Sequence, residues 1–273
     1  MTNVALVCSM LEDGTSPSSD PLMNIAEART TVDRDLLSAI LNDVPRNRLL
    51  AVMPREALGQ ILPTLTHVEL PSGMVIYEPN VPIRYAYFVL TGIISLVSEM
   101  REGTVEVGTV GCEGMTGIPL VLAANTMPSR AFVQVPGEAL RMTAEDLLRG
   151  MEEVPVFRRL VYRHVQALFD QTAQHAACNR LHGLEERCAR WLLMTHDRVE
   201  GDVLLLKQQF LAEMLGVHRP AVTLAAGALQ KAGIIRYSRG KVTVLDRSAL
   251  ESASCECYSI VTRRVEELLA MEI

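Results

Sequence analysis

The stretch from Gln208 to Leu245, QQFLAEMLGVHRPAVTLAAGALQKAGIIRYSRGKVTVL, constrains the fold more than any other part of the chain. Phe210, Leu211, Met214 and Leu215 fall on one face of a helix over 208–215. Gly216 supplies the left-handed backbone of a tight turn, and Val217 anchors that turn. A second helix is expected over 219–232. Pro220 sits in its first turn, where a missing N–H costs nothing. Val222, Ala225, Ala226 and Leu229 form its inward stripe, and Gly233 ends it. Two β-prone runs, 234–237 and 241–245, flank Ser238-Arg239-Gly240, which is hairpin chemistry. Together these are a helix-turn-helix with a wing, and a second helix held this way fits the major groove of DNA.

Charge supports that reading. Residues 207–247 hold seven basic side chains (Lys207, Arg219, Lys231, Arg236, Arg239, Lys241, Arg247) against Glu213 and Asp246, a net charge of +5 in a chain whose total is −6. Positive charge gathered on one module of an acidic protein is a footprint for phosphate. The bland alternative is a helical hairpin with a solvated charged rim.

The 273 residues suffice for two domains with their own cores. No apolar run approaches the roughly 18 residues of a membrane span, so no membrane association is expected. The start, MTNVALVCSM, is short and lacks a basic lead, unlike a secretory signal; residues 1–45 read as a mobile arm. Six scattered cysteines suggest no disulfide framework and point to a reducing, cytoplasmic setting. Cys255-x-Cys257 is the one close pair. It has no second pair in the sequence to complete a tetrahedral zinc site, so a structural role is expected and no metal ligand set is assigned. The histidines form no HxxxH pair.

Residues 47–66 read as helix broken at Pro54 and Pro63. From His67 to about residue 143 short β-prone runs alternate with turn signals, including Thr91-Gly92 and Pro136-Gly137. That rhythm suggests an antiparallel sandwich or roll. Phe157, Val161, Val165, Leu168, Thr172 and Ala176 then recur at nearly heptad steps. This seam is expected to join two copies of the chain, the alternative being packing within one chain. His182-Gly183 interrupts the helix, another follows over 184–195, VLLL forms a strand, and the tail over 247–270 is helical again.

In this order the parts resemble the cyclic-AMP receptor / fumarate–nitrate regulator (Crp/Fnr) family. The likeness spans about residues 45–247 and is carried by YAYFVLTGIISLV (from Tyr85), VGTVGCEGMTG (from Val107) and FLAEMLGVHRPAVTLAAGALQKAGIIRY (from Phe210). It implies an α+β fold: a jelly-roll-like antiparallel β-roll over 46–150, a long dimerisation helix over 151–182, a winged helix-turn-helix over 183–247 and a helical tail over 248–273. It implies a homodimeric transcription regulator, not an enzyme, with duplex DNA, a second copy (through 157–176) and RNA polymerase as partners. The alternative is a redox- or ligand-responsive sensor signalling through a protein.

Residue by residue, the likeness is partial. Where the family's recognition helix commonly opens Ser-Arg-Glu, this chain has His218, Arg219 and Pro220, and Leu224 stands at the later Arg. Only Arg219 is kept, and an arginine there can be bidentate to guanine. The expected DNA-facing set is Lys207, Gln208, Gln209, His218, Arg219, Thr223, Arg239 and Lys241. In the roll, the Gly-Glu of cyclic-AMP binders falls near Met115-Thr116, and their Arg-Ser falls on Ser129-Arg130 in inverted order. Cyclic AMP is therefore not the expected effector, and Glu113, Thr116, Ser129 and Arg130 are the candidate pocket residues. Cys8 and Cys112 do not make the cysteine set of an iron–sulfur branch. No haem motif is present, so the cofactor is left unknown.

Overall fold

The computed structural model describes residues 40–271; the arm expected over 1–45 lies outside them except for its last residues. Those, unlike the mobile arm expected, are helical, with Ile40 and Val44 buried. The broken helix follows as α1 (Arg48–Ala51) and α2 (Arg55–Ile61), with Pro54 at the break. Asn47 caps α1 from its side chain, which also donates to the carbonyls of Val89 and Gly114 at 2.8 and 2.9 Å. One buried amide thus fastens this helical corner to the roll.

The roll is a five-stranded antiparallel sheet in the order β1 (Thr66–Leu70), β5 (Arg130–Thr143), β3 (Tyr85–Met100), β4 (Gly103–Val110), with β2 (Val75–Tyr77) also on β5. Two expected turns are not chain reversals. Thr91-Gly92 lies inside the 16-residue β3, and Pro136-Gly137 lies inside the 14-residue β5. The register slips beside Thr91, and a Cβ on Gly137 would collide with the Thr91 carbonyl. These glycines are facing bulges that bend two long strands into a roll. Helix α3 (Ile118–Val121) follows the loop after β4. Helix α4 (Ala144–Glu153), which hydrophobic periodicity did not announce, starts at Thr143, whose hydroxyl accepts from the Asp146 N–H at 3.0 Å.

Helix α5 (Pro155–Leu181) has 27 residues, about 40 Å of rod. Its buried stripe is Phe157, Leu160, Val161, His164, Ala167, Gln171, His175 and Cys178. Phe157 meets Phe88 of β3 at 6.1 Å between centroids. The expected seam is therefore split. Phe157 and Val161 are sealed in their own chain, Val165 and Leu168 are half-buried, and Thr172 and Ala176 are exposed beside Tyr162 and Phe169. The physical reason is that steps of four outrun the 3.6-residue turn, so the stripe drifts from the inner face to the outer one.

The winged module follows as α6 (Leu184–His196), β6 (Val203–Leu205), α7 (Gln208–Leu215), α8 (Arg219–Lys231), β7 (Ile235–Ser238) and β8 (Lys241–Val244), with sheet order β6-β8-β7. Gly216 (φ 63°) makes the turn between α7 and α8. The tail forms α9 (Arg247–Ala253) and α10 (Cys257–Ala270), and α10 lies along α5 with Arg264 paired to Asp170 at 2.7 Å.

Roll and module share a buried seam. Val97 of β3 belongs to the module's core, and Phe132 of β5 meets Phe210 of α7 edge-on at 6.2 Å. Among the described residues no helix is long and apolar enough to cross a membrane.

Candidate nucleic-acid interface

Helix α8 is anchored by Val222, Ala225, Ala226 and Leu229, all buried. The 3.6-residue turn then dictates what faces out: Arg219, Pro220, Thr223, Leu224 and Gly227 are exposed, Leu224 to 77%. A single exposed leucine is ordinary on a protein surface; here it lies beside Arg219 and Thr223 on the edge of α8 opposite the core. His218 is the extended residue before the helix (φ −78°, ψ 146°) and is exposed.

The neighbouring candidates converge on the same side. Gln208 accepts the Thr223 hydroxyl at 3.1 Å, so the start of α7 touches α8 directly. That hydroxyl also donates to the Arg219 carbonyl. Its one proton is thus shared within the module, and the Thr223 methyl and the oxygen's lone pairs face outward with the exposed edge. Gln209 is exposed and donates to Glu213 at 3.0 Å. At the wing tip Arg239 (φ 50°) and Gly240 (φ 76°) form a tight left-handed pair, the hairpin turn that strand twist favours. Lys207 packs its stem beside Gly240, joining the wing to α7. The Tyr237 hydroxyl donates to the Leu206 carbonyl at 2.9 Å, and the Tyr237 N–H donates to Gln230 of α8 at 2.6 Å, which fixes the wing against the helix.

The module's charge is partitioned by geometry. Arg247 is spent on Asp197 at 2.6 Å and Glu251 at 3.0 Å. Lys207, Arg219, Lys231, Arg236, Arg239 and Lys241 are exposed, with no carboxylate partner among the described residues. Lys231 and Arg236 entered the sequence argument only as part of a charge count; their exposure adds them to the surface.

The four residues expected to line an effector pocket do not form one set. Glu113 is largely covered against Arg198, with oxygens 2.7 and 3.2 Å from the guanidinium. Burial alone would push its pKa up, but Arg198 and the backbone N–H groups it accepts hold it at about 2. Gly111 makes room for this bridge, because a Cβ there would strike the Arg198 stem. The Thr116 hydroxyl is closed on the Tyr87 N–H at 3.2 Å. Ser129 is buried. Arg130 faces Glu78 at 3.4 Å and Glu99 at 3.7 Å. Among the described residues, no hydrogen bond or ion pair joins any two of the four. The loop that carries Glu113 and Thr116 is pinned to α5: His164 Nε2 lies 3.1 Å from the Met115 N–H and 2.8 Å from its carbonyl, and burial lowers the histidine's pKa.

The Cys255-x-Cys257 pair does have a second pair, contrary to the sequence expectation. Cys178, in the last turn of α5, and His182, which ends that helix, stand against it. The two pairs are 77 residues apart at Cys178 and Cys255, too far for a spacing rule to connect.

A β-roll coupled by a long helix to a winged helix-turn-helix with a bare, unpaired cationic face defines a DNA-binding transcription regulator. Residues 67–154 match the cyclic nucleotide-binding domain, and residues 186–253 match the Crp-like helix-turn-helix domain. Together these take in more than half of the chain, which belongs to the Crp/Fnr family. It is 27% identical over 197 residues to the transcriptional regulator SdrP of Thermus thermophilus, covering 67% of this chain and 92% of that one. The structure of FixK2 from Bradyrhizobium japonicum shares the fold (TM-score 0.59, 18% identity, 70% of this chain and 98% of that one). So does a CRP-family transcriptional regulator of Thermus thermophilus (TM-score 0.57, 19% identity, 68% and 96%).

Proposed function

We propose that this regulator binds duplex DNA as a homodimer, with Arg219 reading a guanine and Leu224 and the Thr223 methyl resting on thymine methyls. The exposed edge of α8, opposite its buried stripe, carries this reading. A bidentate arginine–guanine pair is worth about 1–3 kcal/mol of discrimination. Lys207, Gln208, Gln209 and His218 at the helix starts, with Arg239 and Lys241 in the wing, hold the phosphates and set register without reading sequence. RNA polymerase is the partner through which a promoter-bound dimer acts.

The dimer uses the outer face of α5. Tyr162, Val165, Phe169, Thr172 and Ala176 recur there at heptad-like steps, and Phe169 is 69% exposed. Such a seam buries apolar surface only against another copy. The roll over 46–150 serves as the sensor, and its effector is not cyclic AMP. Arg130 is engaged by Glu78 and Glu99, and Met115-Thr116 stand near where cyclic-AMP binders carry their Gly-Glu pair. A buried cyclic phosphate without a dedicated arginine is poorly compensated.

The test is DNA selected from a random library by the full chain, followed by binding isotherms at several salt concentrations. Affinity falls steeply with salt. Arg219→Ala binds the selected site about 5- to 150-fold more weakly, as loss of a base contact worth about 1–3 kcal/mol requires. Unchanged binding and unchanged sequence preference in Arg219→Ala would refute the base-reading assignment.

A further inference from the structure

We propose that Cys178, His182, Cys255 and Cys257 form a tetrahedral Zn²⁺ site that clasps the C-terminal tail to the exit of the long helix. Their four ligand atoms all lie within 4.8 Å of one another. Cys178 Sγ is 3.5 Å from Cys255 Sγ, and Cys257 Sγ is 3.4 Å from His182 Nδ1. Zinc–sulfur bonds of about 2.3 Å and zinc–nitrogen bonds of about 2.0 Å, at tetrahedral angles, space neighbouring ligand atoms by roughly 3.5–3.8 Å. The cage therefore has the size of one ion. A four-iron cluster puts each thiolate on its own iron and needs a wider cage.

The surroundings are those of a metal site. His182 Nε2 lies 3.2 Å from a Glu256 carboxylate oxygen. That contact places the imidazole proton on Nε2 and turns the Nδ1 lone pair toward the thiols, the carboxylate–histidine–metal arrangement that orients ligands in known sites. Gln174 donates to Cys257 Sγ at 3.1 Å. The three cysteines are buried together as a small cluster separate from the module's large core.

Charge is accommodated as well. On binding, the three thiols release their protons to solvent, and Zn²⁺ with three thiolates and a neutral histidine carries one negative charge. Arg190 is buried, its Nε has no partner, and it acts electrostatically on Cys178 and Cys255. Arg187 feels the same two thiols and donates to the Leu215 carbonyl at 2.7 Å, at the end of α7. Four protein ligands leave no open position, which is the pattern of a structural site rather than a catalytic one. Two ligands close α5 at the His182-Gly183 break and two hold the α9–α10 connection, so the ion spans the joint across which the winged module is carried.

The experiment uses the purified full chain under reducing conditions. Metal analysis is expected to give about one zinc per chain. The stripped protein is expected to take up Co²⁺ with the thiolate-to-cobalt charge transfer and strong visible bands of tetrahedral coordination. Cys255→Ser and Cys257→Ser weaken or abolish those bands, while Cys112→Ser keeps them. Should a cysteine variant fail to fold, Glu256→Gln still decides: it leaves all four ligands in place and lowers metal affinity about 10- to 100-fold in competition with a chromophoric chelator. A folded wild-type chain without zinc that takes up no cobalt overturns the proposal. So does iron with acid-labile sulfide, or a Cys178–Cys255 disulfide as the sole state of these thiols. None of these readouts depends on DNA binding.

Discussion

Glu106→Gln is the sharpest test of how the roll meets the winged module. Glu106 sits on β4, wholly buried; its oxygens accept from Trp191 Nε1 of α6 and from the Ser95 hydroxyl, both at 2.9 Å. Burial raises its pKa from the ordinary 4.5 to about 7, although the two hydrogen bonds and the charges of Arg190 and Arg198 pull the other way. A carboxyl that holds its proton more tightly when folded stabilises the protein fully below the unfolded value of 4.5, and that contribution is lost as pH climbs through about 7. The whole span is worth about 3 kcal/mol; between about pH 5 and pH 8 the linkage relation gives roughly 2–3 kcal/mol of lost stability. Glutamine cannot ionise and keeps an acceptor for Trp191. Urea unfolding of both proteins at the two pH values is therefore expected to show near-equal stability at pH 5 and a variant more stable by about 2 kcal/mol at pH 8. Other titrating groups, His164 and His175 among them, are common to both proteins and cancel in the difference. A stability difference that stays constant to within about 0.5 kcal/mol would refute the claim that Glu106 is a high-pKa buried acid.

The remaining predictions concern the pair beside it, the dimer face and the reading helix. Glu113→Gln leaves the part-buried Arg198 guanidinium without its counter-charge and costs about 3 kcal/mol in urea unfolding at neutral pH; the pair's contribution, present above pH 4.5, fades as pH falls toward about 2, so the wild-type advantage shrinks in acid. Phe169→Glu puts a charge on the exposed face of α5 and shifts the protein toward monomer in sedimentation, with helix content unchanged. Gly227→Ala raises stability by roughly 1 kcal/mol, the helix-propensity gain, because a Cβ there meets nothing within 4 Å. The same variant weakens DNA binding if the duplex approaches that face closely, read by polarisation. Phe157→Ala opens a cavity beside Phe88 and costs about 3–5 kcal/mol.

Much of the module was legible because it is local. Helix α7 falls on the expected residues, and α8 ends one residue short of expectation, since Gly216, Pro220 and Gly233 fix their ends through backbone conformation alone. The long helix and its break at His182-Gly183 follow from the same logic. The roll was legible as a kind of sheet but not in its strand count: Gly92 and Gly137 read as turns in one dimension and become facing bulges only when β3 and β5 pair. The effector set failed for a related reason. Glu113, Thr116, Ser129 and Arg130 stand near a family pattern that they meet only in part, and the partners that hold Glu113, Thr116 and Arg130 (Arg198, Tyr87, Glu78 and Glu99) come from elsewhere in the chain.

Periodicity, capping and charge along the chain were thus enough to fix a winged helix-turn-helix with an outward Arg219, because these act over a few residues and need no distant partner. The closed Glu113–Arg198 pair and the meeting of Cys178 and His182 with Cys255 and Cys257 were decided by folding. Both require groups dozens of residues apart to arrive within a few ångströms, and for the cysteines it is the packing of the tail helix along α5 that brings them there.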